Sequence, residues 1–581
     1  MKFFKRFLPV FLLFMAVFVG TGTDADASAS DENISVIVPV TVGITFNADG
    51  STTSTTFNVF NRSSVGIEIT AVNATELNDW KLVSSDTAIG LDSKQLSFEL
   101  EGTEILPGEN ELSLLVKEMG LHNFHTDIKR GAWTYSFDYE EAFLLEFQFE
   151  IEKQSRILRL DSGDYGESSE ITVLETTETS LPTLSNDKYE FMGWADSSGK
   201  RYTDVFTMPK EDTTLTALWN LPAYALYSQD DHSLTFVQSE EEIKAGDEFN
   251  GNIITKVYTD FTNRDFEEKT AVPWNTDEIC QDVESVTFAD PIFPQSTAYW
   301  FCSFENCPRF DVTNLYTFRV QNMNLMYYSA GRYRDDTDFI ITGMENWDTS
   351  QVTTMWSMFE YSGWQAKTYH IGNIGLWDVS NVWDMQSMFG SAAMNATEVY
   401  IGDLSTWNTD SLEVMIDMFN DMGTHAKNLS IGDIGTWDVS QVDMMWCVFM
   451  NMGEYSETVD IGDLSQWDVS NSEDFSWMFS CLGAHAKDFY VGDLSQWDMT
   501  KAESTAYMFW GTGEYSETFY LGDLSKWNVE NIDDMSNMFE NAGRMADWKL
   551  DLTGWNVRQA VRNLGFSIGV EDKIKEPLWK Y

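Results

Sequence analysis

The chain has 581 residues, 43% hydrophobic and 14% aromatic, and sets 36 Lys plus Arg against 93 Asp plus Glu for a formal charge of −57. Its length allows about three to five domains of ~100–200 residues each, with ample apolar content for packed cores. Acidity on this scale excludes nucleic acid as a partner and opposes anionic lipid, and the interspersed aromatic residues exclude a disordered acidic tail.

Lys2, Lys5 and Arg6 precede an apolar run at residues 7–19, and small residues lead to Ala27 and Ala29. That is the pattern of a secretory signal peptide, assigned to residues 1–29. No cysteine near the cleavage site suggests a lipid anchor, and no later stretch reaches the ~20 apolar residues of a membrane span. The end, Glu576-Pro577-Leu578-Trp579-Lys580-Tyr581, has neither a sortase-type motif nor a hydrophobic tail. The expectation is a secreted, extracellular protein, with any association to the cell surface made without a covalent anchor.

Residues 30–153 alternate apolar and polar positions in short runs, such as Thr56-Phe57-Asn58-Val59-Phe60, separated by turn clusters such as Asn47-Ala48-Asp49-Gly50. This predicts a β-sandwich with its last strand at residues 145–151. Residues 154–219 form a smaller unit containing Tyr189-Glu190-Phe191-Met192-Gly193-Trp194 and, at its end, Thr214-Leu215-Thr216-Ala217-Leu218-Trp219. The pattern aromatic-x-Phe-x-Gly-Trp followed by Thr-Leu-x-Ala-x-Trp resembles the B-repeat of the listerial internalins, which implies a small β-grasp-like module acting mainly as a spacer. Asp161-Ser162-Gly163 departs from the usual Asp/Asn-Gly-Gly turn of that module. Residues 220–300 read as a β-rich lead-in and N-terminal cap, because the first coil of a repeat array has no neighbour to cover its apolar face.

Tryptophans then recur at 347, 377, 407, 437, 467, 497 and 527, and phenylalanines at 359, 389, 419, 449, 479, 509 and 539. A fixed period of 30 residues signals stacked coils, assigned to residues 301–560 with 561–581 as a C-terminal cap or tail. Each coil shows an extended part, as in Glu398-Val399-Tyr400-Ile401. A second part places Val382, Met385, Met388 and Phe389 at offsets matching one helical face, with Ser380, Ser440 and Ser470 where an N-cap belongs. The fold class is therefore multidomain: a β-sandwich, a β-grasp-like module, and an α/β leucine-rich-repeat-like solenoid. The motif Trp-Asp-Val-Ser-x-Val-x-x-Met-x-x-Met-Phe, present in full at residues 377–389, resembles the BspA-like leucine-rich repeats of bacterial surface proteins. Coils of that family are mostly shorter, and only the last one here, around Trp555, approaches the common length. The resemblance implies an adhesin-like protein with host matrix proteins or neighbouring cells as partners.

Equivalent residues of stacked coils form columns. Asn373, Asp403, Asp433, Asp463, Asp493 and Asp523 make one, read as Asx turns, with a calcium ladder as the competing reading. Asp348, Asp378, Asn408, Asp438, Asp468, Asp498 and Asn528 make a second, where the Asp/Asn mixture favours turn hydrogen bonds. A third, Lys367, Thr397, Lys427, Glu457, Lys487 and Glu517, alternates in sign and suggests ion pairs between coils; beside it run His425, Tyr455, His485 and Tyr515. A fourth lies on the outward face of the strand: His370, Tyr400, Ser430, Asp460, Tyr490 and Tyr520. Exposed aromatics among polar groups fit a ligand-binding surface at His370, Tyr400, Asp460, Tyr490 and Tyr520; cross-strand packing is the alternative.

No nucleotide loop, nucleophile elbow or zinc-binding pair appears, and no carboxylate breaks the repeat as a catalytic group would. The expectation is a non-enzyme without a cofactor, calcium being the one candidate ion. It engages a protein or cell-surface ligand, with polysaccharide binding or accessory glycan degradation as the alternative. Five cysteines cannot all pair within the chain. Cys302 and Cys307 are close enough for a local bridge, whereas Cys447 and Cys481 read as buried free thiols.

Overall fold

The computed structural model describes residues 153–579 except Asp336, and within residues 1–152 the strands together with Leu106 and Pro107. The chain forms two compact units, one of Met1–Arg156 with Leu174–Thr177 and one of Ile157–Val173 with Glu178–Tyr581. It is a β-rich, multidomain protein. Asp277–Asp282 is the one α-helix among the described residues, so no helix there is long and apolar enough to cross a membrane.

The first unit holds two sheets of mainly antiparallel strands. One runs Ile44–Phe46, Val10–Ala16, Glu140–Ile151, Ile67–Glu76, Gly108–Val116; the other runs Val36–Ile37, Thr56–Asn61, Leu121–Arg130, Gln95–Leu100, Lys81–Leu82. The expected last strand is present as Glu140–Ile151, paired along its length with Ile67–Glu76. Part of the apolar run assigned to the signal peptide, Val10–Ala16, pairs in parallel with Glu140–Ile151. The rest of residues 1–29 lies outside the described residues.

In the second unit the small module is a five-stranded sheet whose centre pairs Thr213–Asn220 with Ser155–Asp161 and Glu190–Ala195. Leu158, Leu160, Trp194, Phe206, Met208 and Leu215 fill its core. Trp194 is wholly buried, and its Nε1 donates to the Pro182 carbonyl at 2.8 Å, which explains an aromatic with a polar edge at this position. The module also packs onto the coils that follow. Met192, Ala195 and Leu218 meet Phe293, Tyr316 and Phe318, and Asn346 Nδ2 donates to the Ser198 carbonyl at 2.7 Å.

The lead-in starts as a hairpin of Ala223–Ser228 and Ser233–Gln238. Ser233–Gln238 then pairs in parallel with Ser285–Phe288, and the same sheet continues through Arg309–Asp311, Asp338–Thr342, Thr368–His370 and Glu398–Tyr400. From there the strands pair two by two: Asn428–Ser430 with Thr458–Asp460, and Asp488–Tyr490 with Thr518–Tyr520, each residue opposite the one 30 later. The hairpin covers the open edge of the first parallel strand, as an array end requires.

The expected helix in each coil is not formed, and this corrects the α/β reading. Met385, Ser387, Phe389 and Ser391 donate their N–H groups to the next coil, at Val414, Ile416, Met418 and Asn420. Met388, Gly390 and Ala392 donate back three residues instead. Ser387 and Ser391 take left-handed backbone angles, φ 51° and 54°, which a right-handed helix does not allow. The segment is thus a run of tight turns carrying a second parallel ladder, in which Thr354, Asp384 and Val414 are successive rungs. Val382, Met385, Met388 and Phe389 are all buried, as the pattern predicts, because a three-residue turn also returns every third side chain inward. Ser380 caps no helix; its Oγ donates to Asp378 Oδ1 at 2.6 Å.

The phenylalanine column is one unbroken stack from Phe359 to Phe539, with ring centres 5.4–5.7 Å apart. Each tryptophan from 377 to 527 donates Nε1 to the carbonyl 33 residues earlier, at 2.7–3.0 Å. Burial of each large ring contributes roughly 1.5–3 kcal/mol, and the indole bond leaves no polar edge unpaired. At the far end Leu550–Asp551 pairs with Ile574–Lys575, and Trp579 packs on Phe566. All five cysteines are buried free thiols. The Cys302–Cys307 bridge is absent: Cys307 Sγ donates to the Arg309 carbonyl at 3.4 Å, and Cys302 Sγ lies beside Ser303.

Candidate functional site

The outward strand column is built from parallel register. His370 stands opposite Tyr400, Ser430 opposite Asp460, and Tyr490 opposite Tyr520. Inward neighbours such as Tyr369, Leu429 and Phe489 are buried, so alternation sends the column to solvent. Tyr400, Tyr490 and Tyr520 are 49%, 53% and 49% exposed, while the period-30 tryptophan and phenylalanine columns lie in the core. His370 is half-buried, and Ser430 and Asp460 are exposed.

The structure brings these residues together in pairs. The Tyr490 and Tyr520 rings stack 6.3 Å apart, and His370 and Tyr400 meet tilted at 6.1 Å. Between the pairs lies a polar floor, where Ser430 Oγ donates to Asp460 Oδ2 at 3.5 Å and Asp460 Oδ1 accepts from the Gly462 N–H. Tyr400 and Tyr490 are three strand steps apart, about 14 Å at the usual ~4.8 Å spacing.

Two acidic residues support this face. Tyr490 Oη donates to Asp463 Oδ2 at 3.0 Å, and Tyr520 Oη to Asp493 Oδ2 at 3.4 Å. Each bond reaches back one coil and leans the ring over the preceding turn. The Asp463 bond pushes the Tyr490 phenol above its ordinary value, and the charge of Asp493 does the same to Tyr520. The carboxylates move the other way: the Ser465 N–H holds Asp463, and the Ser495 N–H holds Asp493, below the usual range. Sequence reasoning missed these tyrosine–aspartate bonds because it treated each column separately. The signal was available as a constant offset of 27 residues.

The first Asp column forms the expected Asx turns. Asn373, Asp403, Asp433, Asp463, Asp493 and Asp523 each accept through Oδ1 from the N–H two residues on. The second column does likewise at all seven positions from Asp348 to Asn528. The inferred Lys–Glu ion pairs are not formed among the described residues. Backbone bonds join that column instead, with Glu457 N donating to Lys427 O and Lys487 N to Glu457 O. Its neighbours do carry the 60-residue alternation: His425, Tyr455, His485 and Tyr515 form one ring stack with spacings of 4.8, 5.0 and 4.4 Å. Tyr455 and Tyr515 in that stack are 49% and 46% exposed.

A family model described as "Mycoplasma protein of unknown function, DUF285" matches residues 295–430 and again 420–555. The two matches span the stacked coils and leave the first unit and the small module outside. No curated protein and no solved structure matches the chain.

Proposed function

We propose that the protein is exported and acts as a non-catalytic, adhesin-like binding protein. In this reading residues 301–560 are a solenoid of the BspA-like leucine-rich-repeat kind, and residues 154–219 are an internalin B-repeat-like module. The ligand is a protein on a host or neighbouring cell, held at the strand face carrying Tyr400, Tyr490 and Tyr520. One observation carries the proposal: three tyrosines about half exposed stand on a single β column, two of them stacked on each other and each of those two bonded to an Asx-turn aspartate. Tyr490 and Tyr520, each held by a hydrogen bond, lose little further freedom when a partner docks, and tyrosine is enriched among residues that dominate binding energy.

A second reading, polysaccharide binding, draws on the Ser430–Asp460 floor between two tyrosines, since sugar rings stack on aromatic faces and their hydroxyls need polar partners. Incubating the full chain with immobilised matrix proteins and with a glycan array separates the two. Capture by matrix proteins alone supports the first reading; capture by neutral glycans alone replaces it with the second.

A further inference from the structure

A recess of about 650 Å³ opens where the small module docks on the first coils, lined among others by Arg201, Phe318, Arg319, Gln295, Gln321 and Asp348. The module is fixed there by its apolar contact with Phe293 and Tyr316 and by the Asn346–Ser198 bond, so the walls are set by packing. Gly199 fits against the Thr313 carbonyl so closely that a Cβ would lie 2.6 Å from it.

The lining has more hydrogen-bond donors than the protein uses. Arg201 donates Nε to the Met192 carbonyl at 2.5 Å and lays its guanidinium 3.6 Å from the Phe318 ring centre. Its two terminal nitrogens have no acceptor among the described residues. Among the described residues Arg319 pairs only with Glu190, at 3.9 Å. The side-chain amides of Gln295 and Gln321 are likewise unbonded among the described residues. Asp348 and Asp265 offer the opposite polarity: Asp348 Oδ1 accepts from Ser350, and Asp265 Oδ1 accepts from Ser296 and Asn322.

Arg201 makes no ion pair within 4 Å among the described residues and Arg319 makes only a long one, in a chain of formal charge −57. A guanidinium fork matches a planar carboxylate with two parallel hydrogen bonds. Free amides and carboxylate oxygens match hydroxyl groups. The volume lies within the ~300–1,000 Å³ of small-ligand sites. We propose that this junction is a binding site for a saccharide bearing a carboxylate, such as a uronate- or sialate-type sugar. Arg201 and Arg319 would clasp the acid, and the glutamines and Asp348 the hydroxyls. The site is separate from the tyrosine face and gives the module a role beyond spacing.

Isothermal titration of the full chain with trigalacturonate and sialyllactose tests this, with lactose and a sulfated disaccharide as comparisons. The expected result is binding of at least one carboxylated sugar, with no binding of lactose. Arg319→Gln, on a partly exposed side chain, should weaken that binding roughly tenfold or more without changing the melting temperature. Arg201→Lys should weaken it similarly, because lysine keeps the charge and loses the fork. Val561→Ala, at an exposed side chain outside the recess, should leave it unchanged. The proposal is overturned if neither acid sugar binds, if lactose or the sulfated disaccharide binds equally well, or if Arg319→Gln retains full affinity.

Discussion

Gly462→Ala probes how the coils are held together. Gly462 has φ +81°, and an added Cβ would sit 2.0 Å from Asp433 Oδ1 and 2.4 Å from its Cα. That carboxylate oxygen accepts from the Gly435 N–H at 3.1 Å and, in the next coil, from the Asp463 N–H at 3.0 Å. A methyl group there must open the Asx turn and push the two strands apart. Left-handed backbone at alanine costs about 1–2 kcal/mol. Loss of a capping acceptor costs about 0.5–2 kcal/mol more. The expected destabilisation is therefore about 1.5–4 kcal/mol in urea unfolding followed by tryptophan fluorescence. Gly554→Ala is the control, because nothing lies within 4 Å of its added Cβ and its φ is not positive. It should stay within about 0.5 kcal/mol of wild type. Removing the clash partner should reduce the penalty, so Gly462→Ala in an Asp433→Ala background should cost less than in wild type. If Gly462→Ala behaves like Gly554→Ala, the bridging role of the Asx carboxylates is wrong.

Three further outcomes follow from the interior and the acidic columns. Burial pushes the Cys280 and Cys481 thiols up to about 12, and all five cysteines are buried and unpaired, so the native chain should not react with a thiol reagent until it is denatured; fast labelling of the native chain would contradict this. The Asx turns satisfy the acidic columns with backbone N–H groups, so EDTA or added calcium should leave the melting temperature unchanged, and a calcium-dependent rise would establish an ion ladder instead. Asp463 is held low by the Ser465 N–H, so its stabilisation is full above the unfolded carboxylate pKa of ~3.9 and fades as pH falls through the folded value. Burial raises Asp417, so its contribution has the opposite sign and is lost as pH rises through the folded value. Asp417→Asn should therefore raise the melting temperature at pH 7 more than at pH 4; an equal change at both would refute the assignment.

The repeat period, the buried tryptophan and phenylalanine columns and the Asx turns were legible because each depends on one residue type recurring at one position. The helix was misread for a physical reason. Offsets of 3, 6 and 7 place Val382, Met385, Met388 and Phe389 inside for tight turns as well as for a helix. The deciding hydrogen bonds go to the next coil, which a single segment cannot reveal. The outward tyrosines were legible from alternation on the strand. Their bonds to Asp463 and Asp493 were not, because they join different columns of different coils. The Lys–Glu column misled in another way: alternating charge suggested side-chain pairing where the backbone already makes the contact, while the ring stack beside it carries the 60-residue alternation. The recess at Arg201 and Arg319 lay beyond sequence reading, because it exists only where two modules of the chain meet.

The central claim is that the strand face is the ligand-binding surface. The most direct measurement is capture of the full chain on immobilised matrix proteins and on cells, comparing wild type with Tyr490→Ala, Tyr520→Ala double substitution. Both side chains are half exposed, so the fold should persist, as an unchanged circular dichroism melt would verify. The account predicts that wild type binds and that the double variant loses binding by roughly tenfold or more. Undiminished binding by a folded double variant would contradict it.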